Sequence, residues 1–230
     1  MFKTELHCHT MEVSACGELT AEELTKRYIE SGYTTVVLAN HLSKYTYKNK
    51  RYDHSDHTWE QKIDFYMDGY RLFEKAAAGK LHAILGCELR SNRDNNDYLL
   101  FGVTEEFLRS IPDMMDEHLS VIRERLHEIG GLLYQAHPFR NGMTITRPNR
   151  LDGIEIYNGH IEHDSRNFIA CQWAERYGLL KSSGSDLHAA GHIISGGIET
   201  ENPITTREEL VAALKSPSLR LLGDPYEKIN

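Results

Sequence analysis

Patterns typical of strands and of helices alternate along almost the whole chain, and this alternation restricts the folds that the chain can adopt. Apolar, β-branched runs such as 33–38 and 132–136 are typical of buried strands. Between such runs lie segments with apolar residues at helical spacing, the longest of them over 58–78. Repeated strand-then-helix units in one domain imply a parallel sheet with right-handed crossovers. We therefore expect an α/β fold in a single domain over 1–230, with the sheet either open or closed into a barrel.

The individual elements are predicted from apolar periodicity and from turn and capping residues. The predicted strands are 2–9, 33–38, 81–87, 97–103, 132–136, 153–157, 179–182 and 219–222. The predicted helices are 20–30, 58–78, 115–129, 165–177 and 205–214. Thr20 and Glu23 form a capping-box pattern at the start of the first helix. The polar segment 43–56 is predicted to be a loop, and we find no linker or internal repeat.

Charge and cysteine usage exclude several classes of protein. The formal net charge of -8 argues against a long nucleic-acid footprint, which needs clustered Lys and Arg. It is compatible with a small phosphorylated substrate held by metal ions. No apolar run approaches the ~20 residues of a membrane span, and the charged start 1–5 is unlike a signal peptide. The four cysteines form no C-x-x-C pair, which favours a reducing, cytoplasmic location.

Side chains that can bind metal ions follow several of the predicted strands. His7 and His9 lie two residues apart in the first strand, so both point to the same face, whereas Cys8 points into the core. Further polar residues lie at or just past other strand ends: His41, Glu88, His137, Glu155 and Asp186. In a barrel the carboxyl ends of the strands form the face that carries active sites. We therefore expect these side chains to converge.

The number of candidate ligands exceeds what one ion can use, since a zinc ion takes three or four protein ligands. The candidates are His7, His9, His41, Glu88, His137, Asp186 and His188. A site with at least two ions, bridged by Glu88, follows from this excess. Mixed imidazole and carboxylate ligands suit zinc, iron or manganese. Such clusters make hydroxide available at neutral pH and clamp phosphate oxygens, which predicts hydrolytic chemistry.

Five dispersed motifs resemble those of the PHP family, the polymerase and histidinol phosphatase domain superfamily. They are His7-Cys8-His9, Asn40-His41, Gly86-Cys87-Glu88, His137-Pro138 and Gly184-Ser185-Asp186-Leu187-His188. The resemblance covers nearly the whole chain in the family's order. It implies a distorted (βα)7 barrel, a trinuclear metal centre and the hydrolysis of phosphoesters.

The resemblance also implies an assignment of ligands to two or three divalent transition-metal ions, which would be Zn, Mn or Fe. The first ion takes His7, His9, Glu88 and Asp186, the second takes Glu88 and His137, and the third takes His41 and His188. Asn40 stands where many members have Asp, and we expect it to orient His41.

Two departures from the family pattern affect the second and third ions. The loop 10–17 lacks the Asp or His ligand of many members, so Glu12 or Cys16 substitutes for it, or neither does. Asp97 lies where members often have a His after the motif Glu, and it would complete the second site.

The groups expected to contact substrate lie beside these motifs. Arg140 and Arg90 would bind phosphate oxygens, which guanidinium groups match well. Asn158 would orient a ligand, and His160 would protonate a leaving group. With Glu88, the residues His160 and Arg140 make up the predicted catalytic set.

The leading hypothesis is a metal-dependent phosphoesterase in which a metal-bridging hydroxide attacks phosphorus in a small phosphorylated substrate. A nuclease or nucleotide phosphodiesterase of the same fold is the first alternative. A zinc amidohydrolase of the (βα)8 type also begins with H-x-H, but it expects a bridging lysine where this chain has Glu88. A metal-loaded binding module without turnover is the non-enzymatic alternative.

Overall fold

A computed structural model describes residues 1–226 of the chain, in which strands and helices alternate. The strands are β1 (Phe2–Glu5), β2 (Tyr33–Leu38), β3 (His41–Leu42), β4 (His82–Leu85), β5 (Cys87–Arg90), β6 (Asp97–Phe101), β7 (Leu132–Gln135), β8 (Gly153–Asn158), β9 (Leu180–Gly184), β10 (Ile198–Thr200) and β11 (Arg220–Leu221). The helices are α1 (Ala21–Glu30), α2 (Lys44–Tyr47), α3 (Trp59–Ala77), α4 (Glu105–Ser110), α5 (Leu119–Glu128), α6 (Asn167–Tyr177) and α7 (Arg207–Leu214). The predicted α/β class is confirmed. The end of the predicted domain, 227–230, lies outside the described residues.

The strands form two sheets. One has the order β11-β10-β1-β2-β4 and the other has the order β3-β5-β6-β7-β8-β9. Most neighbours within these sheets are parallel, as predicted, but β6 runs antiparallel to both β5 and β7. The connection 91–96 between β5 and β6 is too short for a helical crossover, so these two strands can pair only as a hairpin. The short strands β10 and β11 add antiparallel pairs at the edge of the first sheet.

Backbone hydrogen bonds connect the two sheets beyond their paired strands. The Asp186 amide donates to the His7 carbonyl at 2.8 Å, and the His9 amide donates to the Leu187 carbonyl at 3.2 Å. On the other side of β2, the Glu88 amide donates to the Asn40 carbonyl at 3.1 Å. The strand pairing within 1–226 contains no closed sheet. The ends of β1, β2, β5 and β9 nevertheless lie side by side.

Helix starts follow local capping chemistry. The hydroxyls of Thr20, Thr58 and Thr206 accept hydrogen bonds from the third backbone amide of α1, α3 and α7, and in each case the side chain at that third position returns the bond. Helices α3, α5 and α6 pack on β4, β7 and β8 respectively. No helix within residues 1–226 is both long and apolar enough to cross a membrane.

Several predicted boundaries are wrong for local reasons. The first strand ends at Glu5 instead of continuing to residue 9, because the amides of Leu6 and His7 donate to the Glu5 carboxylate instead of to a neighbouring strand. The predicted strand 81–87 is divided at Gly86 into β4 and β5. The predicted loop 43–56 contains the capped helix α2, and helix α5 begins at Leu119 after a 3-10 turn at Met114–Asp116.

Core packing makes a direct prediction about stability. Leu133 in β7 is fully buried, whereas Leu72 on α3 is 45% exposed. Leu133→Ala should lower the free energy of unfolding by about 2–5 kcal/mol, because it removes buried apolar atoms and leaves a cavity. The matched control, Leu72→Ala, should change it by roughly 0.5 kcal/mol or less. Urea denaturation followed by circular dichroism measures both, and equal losses would show that β7 does not lie in the core.

Candidate metal centre

The carboxylate of Glu88 lies among the ring nitrogens of four histidines at the meeting point of the strand ends. Its oxygens are 3.3 Å from His7 Nε2, 3.3 Å from His9 Nε2, 2.9 Å from His41 Nδ1 and 3.1 Å from His137 Nε2. His7 and His9 follow β1, His41 begins β3 and His137 follows β7. The structure thus brings together residues that the sequence separates by more than a hundred positions.

Asp186, which follows β9, adds a second carboxylate beside Glu88 and the Nε2 atoms of His7 and His9. Its Oδ1 lies 3.4 Å from His7 Nε2 and 3.3 Å from His9 Nε2. Both Nε2 atoms are buried and have no hydrogen-bond partner within the described residues. Buried polar atoms normally have a partner, and two imidazole lone pairs facing two carboxylates match the ligands that zinc takes. This set fits the first predicted ion.

Hydrogen bonds on the far side of each ring leave these lone pairs free. His7 Nδ1 lies 2.9 Å from Glu155 Oε1, so a carboxylate holds the proton on Nδ1. His9 Nδ1 lies 3.2 Å from Ser14 Oγ, and that hydroxyl itself donates to Asn40 Oδ1 at 2.9 Å. The Ser14 oxygen is therefore an acceptor for the His9 ring. In both rings Nε2 remains available to a metal ion.

The residues predicted to bind the second ion also lie close together. The side chains of His41, Glu88 and Asp97 each place one ligand atom within 4.8 Å of the others. His137 Nε2 lies 3.9 Å from Asp97 Oδ2. Arg90, predicted to bind substrate, instead donates to both oxygens of Asp97, with the shorter bond at 2.8 Å.

At the third predicted site, nitrogens of His9, His41 and His188 lie within 4.8 Å of one another. His188 Nδ1 lies 2.9 Å from the Asp186 carbonyl oxygen, which leaves Nε2 of His188 unprotonated. Cys16 lies beside His41 and His188. Burial raises the pKa of the Cys16 thiol, but hydrogen bonds to these two rings outweigh the burial and bring it to about 6. Glu12 lies elsewhere, accepting a hydrogen bond from the Ala21 amide at the start of α1.

The charges within the cluster stabilise one another. Burial raises the pKa of Glu88, but the positive charges of His41 and His7 outweigh it and hold that pKa well below its usual range. Burial lowers the pKa of His7, but the negative charges of Asp186 and Glu88 outweigh this effect. The pKa of His7 is therefore well above its usual value. The Glu88 carboxylate is thus ionised, and a proton on the His7 ring supplies positive charge that a bound cation would replace.

Two of the candidate ligands have strained backbones. His137 has a φ of 27° and Asp186 a φ of 50°, in a region that residues other than glycine rarely adopt. Such conformations cost about 1–3 kcal/mol and are typical of functional sites. A bond from the His137 amide to Glu155 Oε2, at 2.9 Å, holds the first of them in place.

Arg140 and Asn158, both predicted to contact substrate, lie beside the cluster and bind one of its carboxylates. Arg140 Nη2 donates to Asp186 Oδ2 at 2.8 Å and to Asn158 Oδ1 at 2.7 Å. The Asn158 amide group donates to the same Asp186 oxygen at 3.0 Å. These two side chains therefore fix the orientation of Asp186.

Sequence reasoning missed the role of two buried carboxylates. Glu155 accepts hydrogen bonds from the His7 ring, the His137 amide and Asn158. Glu5 accepts from the Ser185 amide at 2.9 Å and so ties the end of β1 to the segment that carries Asp186; burial raises the pKa of Glu5. The sequence contained a signal for both, since each carboxylate lies within or beside an apolar strand.

A cavity of about 280 Å³ opens onto the cluster. It is lined by Glu88, Asp97, His137 and Asp186, and Arg140 also borders it. The predicted catalytic residue His160 lines it too, with its ring beside those of His163 and His192. Burial is the main reason that the pKa of His160 falls to about 3.

Comparison with known proteins identifies one segment and the fold. Residues 164–218 match the family model described as PHP-associated. No curated protein matches the chain significantly. Among solved structures, PsfC from Pseudomonas syringae PB-5123 is 14% identical with a TM-score of 0.67, over 97% of this chain and 91% of that one.

Two other similar structures are larger proteins. One is a two-domain protein from Bacteroides vulgatus ATCC 8482 that contains a predicted PHP-like metal-dependent phosphoesterase: identity is 15%, the TM-score is 0.56, and the match covers 91% of this chain but 62% of that one. The other is the lesion-specific endonuclease PfuEndoQ from Pyrococcus furiosus, with 16% identity, a TM-score of 0.62, and coverage of 96% and 57%.

The chain therefore shares the fold of these structures, and it carries a histidine–carboxylate cluster able to bind metal ions. The PHP-associated segment and the structural neighbours support a PHP-domain family for this chain. The resemblance seen in the sequence is confirmed.

The role of Glu155 can be tested separately from that of the ligands. Glu155→Gln should raise the dissociation constant of the tightest metal ion about 10–100-fold, because the His7 ring and the His137 backbone amide lose the carboxylate that holds them. Competition with a chromophoric chelator measures that constant. Glu175→Gln, an exposed position on α6, is the control. An unchanged metal affinity in Glu155→Gln would mean that Glu155 does not orient the ligands.

Proposed function

We propose that this protein is a metal-dependent hydrolase of phosphoesters that acts on a small phosphorylated substrate. The observation that carries the proposal is the position of Glu88, whose two oxygens face four imidazoles from three different strand ends. One carboxylate that is shared between ligand sets is suited to bridge two cations. The proposal includes two to three Zn, Mn or Fe ions and a cytoplasmic location.

The proposal also includes the distorted (βα)7 barrel in a single domain. Its support is the set of backbone bonds that join the paired sheets, from Asp186 to His7 and from Glu88 to Asn40. With β3 continuing β2 and β5 continuing β4, these bonds connect seven strand positions in a ring from β1 to β9. A barrel of this kind places the strand ends, and therefore the ligands, on one face.

Three sets of residues would hold the ions. The first set is His7, His9, Glu88 and Asp186, the second is Glu88, Asp97, His41 and His137, and the third is His41, His188 and Cys16. His41 belongs to the second and the third set, and it would bind only one of these two ions. Divalent ions bound there would supply an activated water at neutral pH and neutralise the charge of a phosphate.

The chain's own polar groups would position the substrate around these ions. Arg140 Nη2 is held by Asp186 and Asn158, which fixes the guanidinium plane at the wall of the cavity. A guanidinium held in this way can donate its remaining N–H groups to phosphate oxygens. Arg90 lines the same cavity and would offer a second guanidinium to the phosphate, and His160, predicted from the sequence to protonate a leaving group, lines it as well.

Removal of the shared carboxylate tests the proposal. Glu88→Ala should reduce phosphomonoesterase activity to background and lower the metal content by at least one ion per chain, because two ligand sets lose a member. Elemental analysis and a metal-reconstituted screen of phosphomonoesters, phosphodiesters and amides are the measurements. Glu162→Ala, whose side chain borders the cavity but is 70% exposed, is the matched control. Wild-type activity in Glu88→Ala would reject the assignment, and hydrolysis of amides alone would favour an amidohydrolase.

A second candidate function, a nuclease or nucleotide phosphodiesterase, is favoured by the electrostatics of a neighbouring cavity. This cavity of about 670 Å³ shares Cys16, His41 and Arg90 with the metal centre. Its other lining residues include Lys48, Lys50 and Arg51, and within the described residues none of its lining side chains is a carboxylate. Tyr45, 54% exposed, lies beside it and would offer a ring for a base to stack on.

The lysines of this cavity distinguish the two candidates. The measured quantity is the slope of log affinity against log salt concentration, for a short 5′-phosphorylated single-stranded oligonucleotide that binds the metal-loaded protein. The magnitude of this slope should fall by roughly 0.7 for each lysine lost. The test variant is Lys48→Ala/Lys50→Ala, and the control is Lys80→Ala at an exposed position outside the cavity. Fluorescence anisotropy at several salt concentrations gives the slope. If the slope is the same in all proteins, the cavity binds no phosphate backbone and the small phosphomonoester is favoured.

A further inference from the structure

Two buried histidines, His160 and His192, lie against each other in the lining of the cavity that opens onto the metal cluster. Their ring centroids are 4.5 Å apart and each residue is 5% exposed. One nitrogen from each of these rings and one from His188 lie within 4.8 Å of one another. Three imidazoles this close are typical of a metal site.

Backbone hydrogen bonds exclude that interpretation for His160 and His192. The Glu162 amide donates to His160 Nδ1 at 3.2 Å, and the His188 amide donates to His192 Nδ1 at 3.3 Å. Because a backbone N–H can only donate, each Nδ1 must carry the lone pair, and the proton of the neutral ring lies on Nε2. An Nε2–H group cannot coordinate a cation. The proton position in these two rings is thus opposite to that in His7 and His188, where the hydrogen bonds place a proton on Nδ1.

The two Nε2–H groups have no acceptor among the described residues. The carboxylate closest to pairing with them belongs to Glu162, whose Oε1 is 3.9 Å from His192 Nε2 and therefore beyond hydrogen-bonding distance. Neither Nε2 atom is fully enclosed by protein atoms, and both residues line the cavity. A molecule bound in the cavity can therefore supply the acceptor.

The position of the pair indicates which acceptor that is. Arg140 borders the same cavity, and its guanidinium adds a positive charge. Two N–H donors beside a guanidinium match the paired oxygens of a carboxylate or a phosphate. A substrate whose reacting phosphate lies at Glu88 would extend its other end toward His160 and His192.

We propose that His160 and His192 form a second oxyanion-binding subsite, so that the substrate carries two anionic groups, the reacting phosphate and a further carboxylate or phosphate. The inference rests on the proposed phosphoesterase function for the identity of the first group. His192 is thereby assigned a specificity-determining role that the sequence motifs did not indicate.

Phosphonates test the subsite without turnover, because their carbon–phosphorus bond is not cleaved by ester hydrolysis. The probes are propylphosphonate, with one anionic group, and 3-phosphonopropionate and 1,2-ethylenediphosphonate, with two. Isothermal titration calorimetry of the metal-loaded full chain should show at least about tenfold tighter binding of a two-anion probe, as expected for hydrogen bonds to a charged group. Whichever two-anion probe binds more tightly identifies the second group.

Variants of His192 connect that preference to the pair. His192→Ala should bring the affinity ratio of two-anion to one-anion probes close to one, with the affinity for propylphosphonate retained. His192→Gln keeps an N–H donor and should restore part of the ratio. His163→Ala is the matched control, since this exposed ring lies beside His160 and borders the same cavity.

The outcomes separate the subsite from the proposed function. Equal ratios in the wild type and in His192→Ala overturn the subsite, whatever the esterase screen shows. A metal ion that is present in the wild type and lost in both His192→Ala and His160→Ala also overturns it, because the imidazoles would then be ligands. A preference that depends on His192 in a protein without phosphoesterase activity supports the subsite and rejects the function.

Discussion

The buried carboxylate of Glu88 is the group on which the rest of the structure around the site depends. Its side chain is 1% exposed, and an isolated ion at such a place would be costly without positive partners. The partners are imidazoles that arrive from the ends of β1, β7 and the start of β3. The need to neutralise one carboxylate therefore explains why these distant segments meet, with either protons or metal ions as the positive charge.

A second layer of polar side chains decides which nitrogen each ring presents to that centre. Glu155 fixes the His7 ring and the strained His137 backbone together, and Ser14 fixes the His9 ring while Asn40 holds Ser14. Asn40 was expected to orient His41, but its side chain holds Thr10 and Ser14, and Ser14 Oγ in turn accepts from the backbone amide of His41 rather than from its ring. His160 and His192 have the opposite arrangement, because a backbone amide donates to Nδ1 of each ring. The proton of each neutral ring therefore lies on Nε2, which acts as a donor. The same residue type thus presents lone pairs in one cluster and N–H groups in the other.

Strand register brings the remaining charged groups into place. The hairpin of β5 and β6 pairs Arg90 directly with Asp97, so the arginine neutralises a carboxylate beside Glu88. The sequence predicted β6, but its strand 81–87 overlapped β5 only at Cys87, and it did not predict that β6 reverses direction. The signal was present in the length of the connection, since 91–96 has no room for the crossover that a parallel pair needs. Similarly, a strand pattern over 2–9 predicted the shared face of His7 and His9. It could not predict that β1 ends at Glu5, because that end depends on hydrogen bonds from two amides to the Glu5 side chain.

The sequence by itself determined the α/β class, the helices with capping boxes and the set of histidines and carboxylates that meet at the strand ends. These features depend on local periodicity, on capping residues within one turn and on the rule that parallel strands end on one face. The tertiary structure alone decided which ring nitrogen is free, that Arg140 and Asn158 bind Asp186, and that His192 lies against His160. Protonation and orientation of a side chain depend on partners that are far away in the chain, and only folding brings those partners within hydrogen-bonding distance.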